Sequence, residues 1–279
     1  MIAEGDAGGV RLLLGLLDGE TGPVYERLGL REGEVAPRQR DPWYVTRLLN
    51  ETAAPASALL WMLETDDPDV RISAYRAPRM SDGLRREIMA GRSFAPGATG
   101  SVRPPKTDRW DRPPEPVDTA EYDLLAELYA VRTMAHGRAA AGTVTRDDWP
   151  RIAAADHDAP LPGFARWSLA IRIDCPPELR AQFGDHPKFR HRLRQAGIVS
   201  GPAEYVETYR PARRVLSLLA LGAWAFPPSR QSEAASVLRP LAQSLGPSPE
   251  PWAILTQLLP TFTGTLPELL RTTRAVSGV

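Results

Sequence analysis

Apolar residues recur every three or four positions between residues 41 and 91, which is the spacing of one buried face of a helix. Turn signals interrupt the pattern at Pro55, at the acidic stretch before Pro68, and at Ser81. A helix does not continue through such signals, because proline lacks a backbone N–H and serine competes for the backbone hydrogen bonds. The pattern therefore predicts four short helices joined by turns of a few residues, which is typical of antiparallel helical hairpins.

The stretch "DDPDVRISAYRAPRMSDGLRREIMAG", residues 66–91, contains an Asp-Pro turn followed by a helix with Val-Arg and small residues. It resembles the unit of HEAT-like and leucine-rich-variant helical repeats. A second Asp-Pro pair stands at Asp41 and Pro42, a repeat-like distance before Asp67 and Pro68, although it lacks the Val-Arg that follows the later pair. The resemblance covers residues 41–91 and implies an all-α fold of short antiparallel hairpins, stacked as in an α-solenoid.

The regions on either side of these HEAT-like hairpins differ in composition. Residues 1–40 are acidic and rich in glycine, so they are expected to form a loosely attached extension with one short helix. Residues 92–118 are rich in proline, which predicts a long connecting loop or linker, and Trp110 between Arg109 and Asp111 indicates that part of this loop docks on a helical face. Residues 119–279 are predicted to form a C-terminal helical domain, because their segments begin at proline and end at glycine, as helices commonly do. The first helix of this domain is expected to be capped by Thr119.

Charge and composition narrow the classes of function. The 34 basic and 34 acidic side chains of this 279-residue chain cancel, so the whole molecule does not attract nucleic acid or anionic lipid over long distances. Nearly all basic residues are arginine, a bias typical of a G+C-rich genome such as an actinobacterial one. No stretch reaches the roughly 20 apolar residues of a membrane span. A basic signal-peptide start is also missing, so no membrane association and a cytoplasmic location are expected.

Side chains that commonly carry catalysis are few and scattered. The four histidines lack a metal-ligand spacing, and His157 between Asp156 and Asp158 would need two further ligands. Cys175 is the single cysteine and is interpreted as a small buried residue rather than a nucleophile. The common nucleotide-binding and hydrolase motifs are absent. The sequence therefore predicts no catalytic residue, no metal site and no cofactor.

Residues 185–214 have an excess of positive charge. A helix is expected in which Phe189, Leu193 and Ala196 point inward and the basic side chains stay at the rim. The predicted binding patch consists of Lys188, Arg190, Arg192, Arg194, Arg210, Arg213 and Arg214. Such a patch can bind phosphate groups, and it can equally bind another protein or the acidic N-terminal extension.

These observations favour a non-catalytic, cytoplasmic protein-interaction or scaffold protein, which offers helical-repeat surfaces to a protein or peptide partner. The alternative is a nucleic-acid-associated regulatory protein that uses the basic patch at residues 188–214. A further alternative is an enzyme whose site is assembled from residues dispersed along the chain, because a fold alone does not determine function.

Overall fold

The computed structural model describes residues 4–32, 41–114, 123–184 and 187–278. Its eighteen α-helices are α1 Glu4–Leu14, α2 Gly22–Leu28, α3 Pro42–Glu51, α4 Ser57–Leu63, α5 Pro68–Arg76, α6 Asp82–Met89, α7 Leu124–Ala130, α8 Met134–Thr143, α9 Trp149–Asp158, α10 Gly163–Ala170, α11 Pro177–Gln182, α12 Pro187–Gln195, α13 Pro202–Thr208, α14 Ala212–Leu219, α15 Gly222–Ala225, α16 Pro228–Gln243, α17 Pro249–Leu258 and α18 Leu266–Ser277. The described residues contain no β-strand, only one isolated bridge between Arg92 and Ser101. The predicted all-α class is confirmed.

The contacts divide the chain into two compact units. Unit 1 combines residues 1–54 with residues 200–279, and unit 2 consists of residues 55–199. This division differs from the predicted domains, because the hairpins predicted at 41–91 contribute α3 to unit 1 and α4, α5 and α6 to unit 2. The C-terminal domain predicted from residue 119 is likewise divided after residue 199. Helical periodicity marks where each helix lies, but it does not specify which apolar faces meet. The predicted cap Thr119 lies outside the described residues.

Hydrogen bonds join the two ends of unit 2. The backbone N–H of Ser57 donates to the carbonyl oxygen of Gly197 at 3.1 Å, and that of Val199 donates to Ser57 Oγ at 3.0 Å. Gly197 has a φ of +77°, and a Cβ at this position would lie 2.7 Å from the nitrogen of Ala56. Glycine permits both this backbone conformation and this close approach. The chain therefore enters and leaves unit 2 at one place, as an inserted domain does.

The N-terminal helices belong to the core of unit 1. Val10 of α1 and Val24 of α2 have no exposed surface. Helix α1 packs against α14, where a Cβ at Gly9 would lie 2.7 Å from Leu216 Cβ, so glycine allows the two helices to approach closely. The prediction of a loosely attached extension is therefore wrong for residues 4–32, because their apolar side chains complete a hydrophobic core. The rest of the predicted extension lies outside the described residues.

Both Asp-Pro turns begin helices. Asp41 Oδ1 accepts a hydrogen bond from the backbone N–H of Trp43 at 3.0 Å, and Asp67 Oδ1 accepts one from Asp69 at 2.8 Å. The proline that follows each aspartate occupies the first helical position, where no N–H is needed. These caps explain how α3 and α5 start.

Arginine side chains, some of them buried, bind the carboxyl ends of helices in unit 2. Arg71 of α5 is fully buried and donates hydrogen bonds to the carbonyl oxygens of Ile88, at 3.3 Å, and Arg92, at 2.9 Å. A guanidinium at such a place satisfies carbonyl groups that the helix leaves unpaired and interacts favourably with the helix dipole. The other arginines that donate to carbonyl oxygens at a helix end in unit 2 include Arg85, Arg86, Arg132, Arg172 and Arg180. Part of the arginine excess therefore has a structural role.

Candidate functional site

Helix α12 carries the first four basic residues of the predicted patch, on the surface of unit 2. None of its residues is fully buried. Phe189 and Leu193 pack against the hydrophobic core of unit 2, so the predicted inward side of this helix is confirmed for these two residues. Arg190 and Arg194 are exposed, and within the described residues they make no ion pair or hydrogen bond. The helix therefore presents positively charged side chains to solvent.

An aromatic side chain of α10, that of Trp167, lies next to α12. The rings of Trp167 and Phe189 meet edge to face with their centroids 5.8 Å apart, and the Arg192 guanidinium lies 5.9 Å from the Trp167 centroid. Phe164, on the same helix as Trp167, is 45% exposed. Arginine beside partly exposed aromatic rings is a composition that is enriched in protein–protein interfaces. Phe164, Trp167 and helix α12 are called the α12 surface below.

The other three arginines of the predicted patch belong to unit 1. Arg213 Nε lies 2.6 Å from Oδ1 of the buried Asp6, and Arg210 Nη2 lies 3.7 Å from Glu268 Oε1. Arg214 is exposed and has no ion pair or hydrogen bond within the described part of the chain. Since Asp6 is on α1, the N-terminal segment binds one of these arginines. The seven basic residues thus fall on two units, four on unit 2 and three on unit 1.

The proline-rich loop presents Trp110, which is 72% exposed. Arg76 of α5 holds this loop, because its Nε lies 2.7 Å from Asp111 Oδ1 and its Nη2 lies 2.9 Å from Asp108 Oδ2. The hydrogen bond from Arg76 lowers the pKa of the Asp111 carboxyl group below its ordinary value. Part of this loop thus docks on helix α5 as expected, through Asp108 and Asp111, while the Trp110 indole stays in solvent.

We expect Arg76→Ala to release this loop. The pairs of Arg76 with Asp108 and Asp111 are charge-assisted, so their loss should favour local opening by about 2 kcal/mol, or about 30-fold. Hydrogen exchange at the backbone N–H of Trp110, which donates to Asp108 Oδ1 at 2.9 Å, measures this opening. Arg103→Ala, at an exposed arginine of the same loop, is the control. Equal exchange rates in the two variants would contradict the role given to Arg76.

Two of the residues considered for catalysis, Cys175 and the Asp156 neighbour of His157, have environments that the structure describes. Burial raises the pKa of the Cys175 thiol to about 12, so this side chain stays protonated at neutral pH and is not an activated nucleophile. Asp156, next to His157, accepts hydrogen bonds from Arg166 Nε at 2.7 Å and from the backbone N–H of Leu161 at 2.9 Å. The part of the chain that the structure describes contains no cluster of three or more metal-ligating side chains.

Unit 2 contains a buried carboxyl group, that of Glu87, which the sequence analysis did not predict. Glu87 of α6 is 6% exposed, and its Oε1 accepts a hydrogen bond from the backbone N–H of Arg146 at 3.2 Å. Its Oε2 has no hydrogen-bond partner among the described residues. Burial, and secondarily the neighbouring Asp174, raise the pKa of Glu87 to about 7. This group therefore titrates near neutral pH.

A pocket of about 350 Å³ lies beside α8 in unit 2 and is called the α8 pocket below. Helices α6, α8 and α10 contribute to its wall. Its lining includes the apolar residues Leu84, Ile171 and Ile173 and the basic residues Arg79, Arg138 and Arg172. Among the described residues, no aspartate or glutamate lines it. The α8 pocket thus combines an apolar wall with positive charge.

Comparison of the chain with protein-family models, with curated proteins and with solved structures finds no match. In the ranges that the structure describes, none of the helices has the length and apolar character of a segment that crosses a membrane. The function is therefore inferred from the surfaces and pockets of the chain itself.

Proposed function

We propose that this chain is a non-catalytic protein-interaction protein, which binds an acidic segment of a partner protein through the α12 surface. The observation that carries the proposal is helix α12, whose Arg190 and Arg194 are exposed and make no ion pair or hydrogen bond within the described residues, and whose Arg192 lies over the ring of Trp167 on α10. The positive side chains attract an acidic segment over a distance, and the aromatic rings provide apolar area that the partner can cover.

We also propose that the protein is cytoplasmic and that its short helices form a HEAT-like repeat unit. Helix α5 packs against both α4 and α6, and its Arg71, from the Val-Arg pair of the HEAT-like stretch, binds carbonyl oxygens at and after the end of α6. This fixed pairing of short helices supports a scaffold in which α4, α5 and α6 form one HEAT-like unit. Such a unit is a rigid support for the surfaces around it.

The small number of basic side chains on α12 favours a protein partner over nucleic acid. Four of them lie on α12, and the chain as a whole is neutral. Neutralising four phosphates gives a salt dependence that weakens binding about 100-fold between roughly 50 and 200 mM salt. A protein partner also covers the rings of Phe164 and Trp167, and this apolar contribution depends little on salt.

Site-specific photocrosslinking in the source cell tests the proposal. A chain with a benzoylphenylalanine side chain in place of Phe164 should capture a protein. The same group in place of Val276, which is 62% exposed on α18 of unit 1, should not capture that protein. Arg190→Glu combined with Arg194→Glu should reduce the product at position 164 at least tenfold, because both attractive charges become repulsive.

The matched control is Arg27→Glu with Arg31→Glu, which changes the net charge equally at two exposed arginines of unit 1 and should leave the product unchanged. Equal loss of product in both charge variants would contradict the proposal. Binding of short single-stranded and duplex DNA at low salt is measured in parallel. Retention of DNA that the Arg190 and Arg194 changes abolish, without a protein product at position 164, would establish the nucleic-acid alternative instead.

A further inference from the structure

We propose that the α8 pocket is a binding site for a small organic anion, namely a carboxylate attached to a short apolar chain. This inference is independent of the proposed function. The residues that line the α8 pocket are not those that define the α12 surface, so either proposal can fail while the other stands.

The size and apolar lining of the α8 pocket fit a small molecule. Its volume of about 350 Å³ lies within the range of roughly 300–1,000 Å³ that is typical of ligand sites. Its apolar lining includes Leu84 of α6 and Ile171 and Ile173, which follow α10. Each methylene group that a ligand buries against such side chains strengthens binding. The apolar part of the ligand is therefore expected to contact these three residues.

The positive charge of the α8 pocket is only partly neutralised by the protein. Arg172 forms two hydrogen bonds with Asp174, from Nε at 2.9 Å and from Nη2 at 2.7 Å, so this charge is already paired. Arg138 is exposed on α8 and has no ion pair or hydrogen bond within the described residues. The planar guanidinium of arginine matches the two oxygens of a carboxylate. Arg138 is therefore the group that we expect to bind the anion.

One polar group in the wall of the α8 pocket lacks a hydrogen bond. Ser168 is 2% exposed, and its Oγ has no partner among the described residues. This hydroxyl lies at the crossing of α8 and α10, where a Cβ at Gly137 would be only 2.6 Å away. Glycine at that position leaves room for the hydroxyl group. A buried hydroxyl without a partner is unfavourable, and the residue that carries it lines the α8 pocket.

A carboxylate fits this site better than a phosphate group. Arg138 supplies one positive charge that no described carboxylate pairs with, which matches a single negative charge. A dianion would carry a second, strongly hydrated charge against apolar side chains such as Ile171 and Ile173, and its dehydration would oppose binding. The ligand class is therefore a monoanion with an apolar body.

Isothermal titration calorimetry of the full chain with straight-chain carboxylates, from butanoate to octanoate, tests the inference. We expect the affinity to rise about fourfold for each added methylene until the apolar wall is covered. Hexanamide, the neutral analogue of hexanoate, should bind at least tenfold more weakly because it lacks the charge. Phenyl phosphate that binds more tightly than every carboxylate would overturn the carboxylate assignment.

Two variants locate the binding. Arg138→Gln should weaken hexanoate binding at least tenfold, whereas Arg103→Gln, at an exposed arginine that does not line the α8 pocket, should leave it unchanged. Gly142 lines the pocket and a Cβ there meets no atom within 4 Å, so Gly142→Leu should fit the fold and fill the pocket. Circular dichroism confirms that the variants are folded. Unchanged hexanoate binding in Arg138→Gln, or no saturable carboxylate binding by the parent chain, would overturn the proposal.

Discussion

Arg172→Met is expected to lower the free energy of unfolding of unit 2 by about 3–5 kcal/mol. The Arg172 side chain is 6% exposed, and that of its partner Asp174 is 2% exposed. The same guanidinium donates to the carbonyl oxygens of Ala141 and Val144, each at 2.6 Å, at the end of α8. Methionine fills a similar space, but it removes the guanidinium donors, so the buried carboxylate loses its charged partner and keeps only the Trp149 indole N–H, at 3.3 Å. Such unpaired buried groups cost more than the ion pair itself contributes.

Urea denaturation followed by circular dichroism measures this loss, and an exposed ion pair provides the control. Arg151 lies 3.6 Å from Asp123, with side chains 58% and 64% exposed, so Arg151→Met should cost no more than about 1 kcal/mol. Adding Asp174→Asn to Arg172→Met removes the unpaired charge and should recover part of the stability. A loss with Arg172→Met as small as that with Arg151→Met would contradict the role of this buried pair.

The helices of unit 2 and unit 1 were largely predictable because their signals are local. The caps at Asp41 and Asp67 and the prolines after them act within one turn of the chain, so the sequence contains the whole signal. The grouping of helices into two units was not predictable in this way. It depends on contacts such as that of Gly9 with Leu216, between residues far apart in the sequence.

The candidate sites were predictable to the extent that they follow helical periodicity. The inward positions of Phe189 and Leu193 and the outward arginines of α12 come directly from that period. The burial of Glu87 on α6 and of Arg172 after α10 does not, because a charged residue has the same local sequence pattern whether water or another part of the chain covers it. The α8 pocket is a gap between helices, and no local pattern marks a gap.

Arginine serves two different purposes in this protein. Some arginines, such as Arg71, are buried and bind carbonyl oxygens at helix ends, where their loss would expose unpaired backbone groups. Others, such as Arg138, Arg190 and Arg194, are exposed and unpaired within the described residues. A count of arginines from composition cannot separate these groups. The second group contains the residues on which both proposed binding sites depend.

In the parent chain we expect the free energy of unfolding to fall as the pH rises from about 5 to about 8, and Glu87→Gln is expected to remove this fall. Burial, and secondarily Asp174, raise the pKa of Glu87 to about 7 in the folded chain, from an ordinary value of 4.5, while Arg172 and Arg146 partly oppose this. Because the folded state holds this proton more tightly, the stabilisation is fully present below pH 4.5 and is lost as the pH rises through about 7. The difference between these pKa values corresponds to about 3 kcal/mol.

Urea denaturation at several pH values between about 5 and 8 tests this expectation. Glutamine has the size of a protonated glutamate and keeps an oxygen for the backbone N–H of Arg146, so the parent and Glu87→Gln should have similar stability at the lower pH. At the higher pH the variant should be more stable by up to about 3 kcal/mol, because it has no carboxylate to bury. Glu178→Gln, at an exposed glutamate of unit 2, controls for the change in net charge. A difference between Glu87→Gln and the parent that stays constant with pH would mean that the Glu87 carboxylate is hydrated in the folded protein.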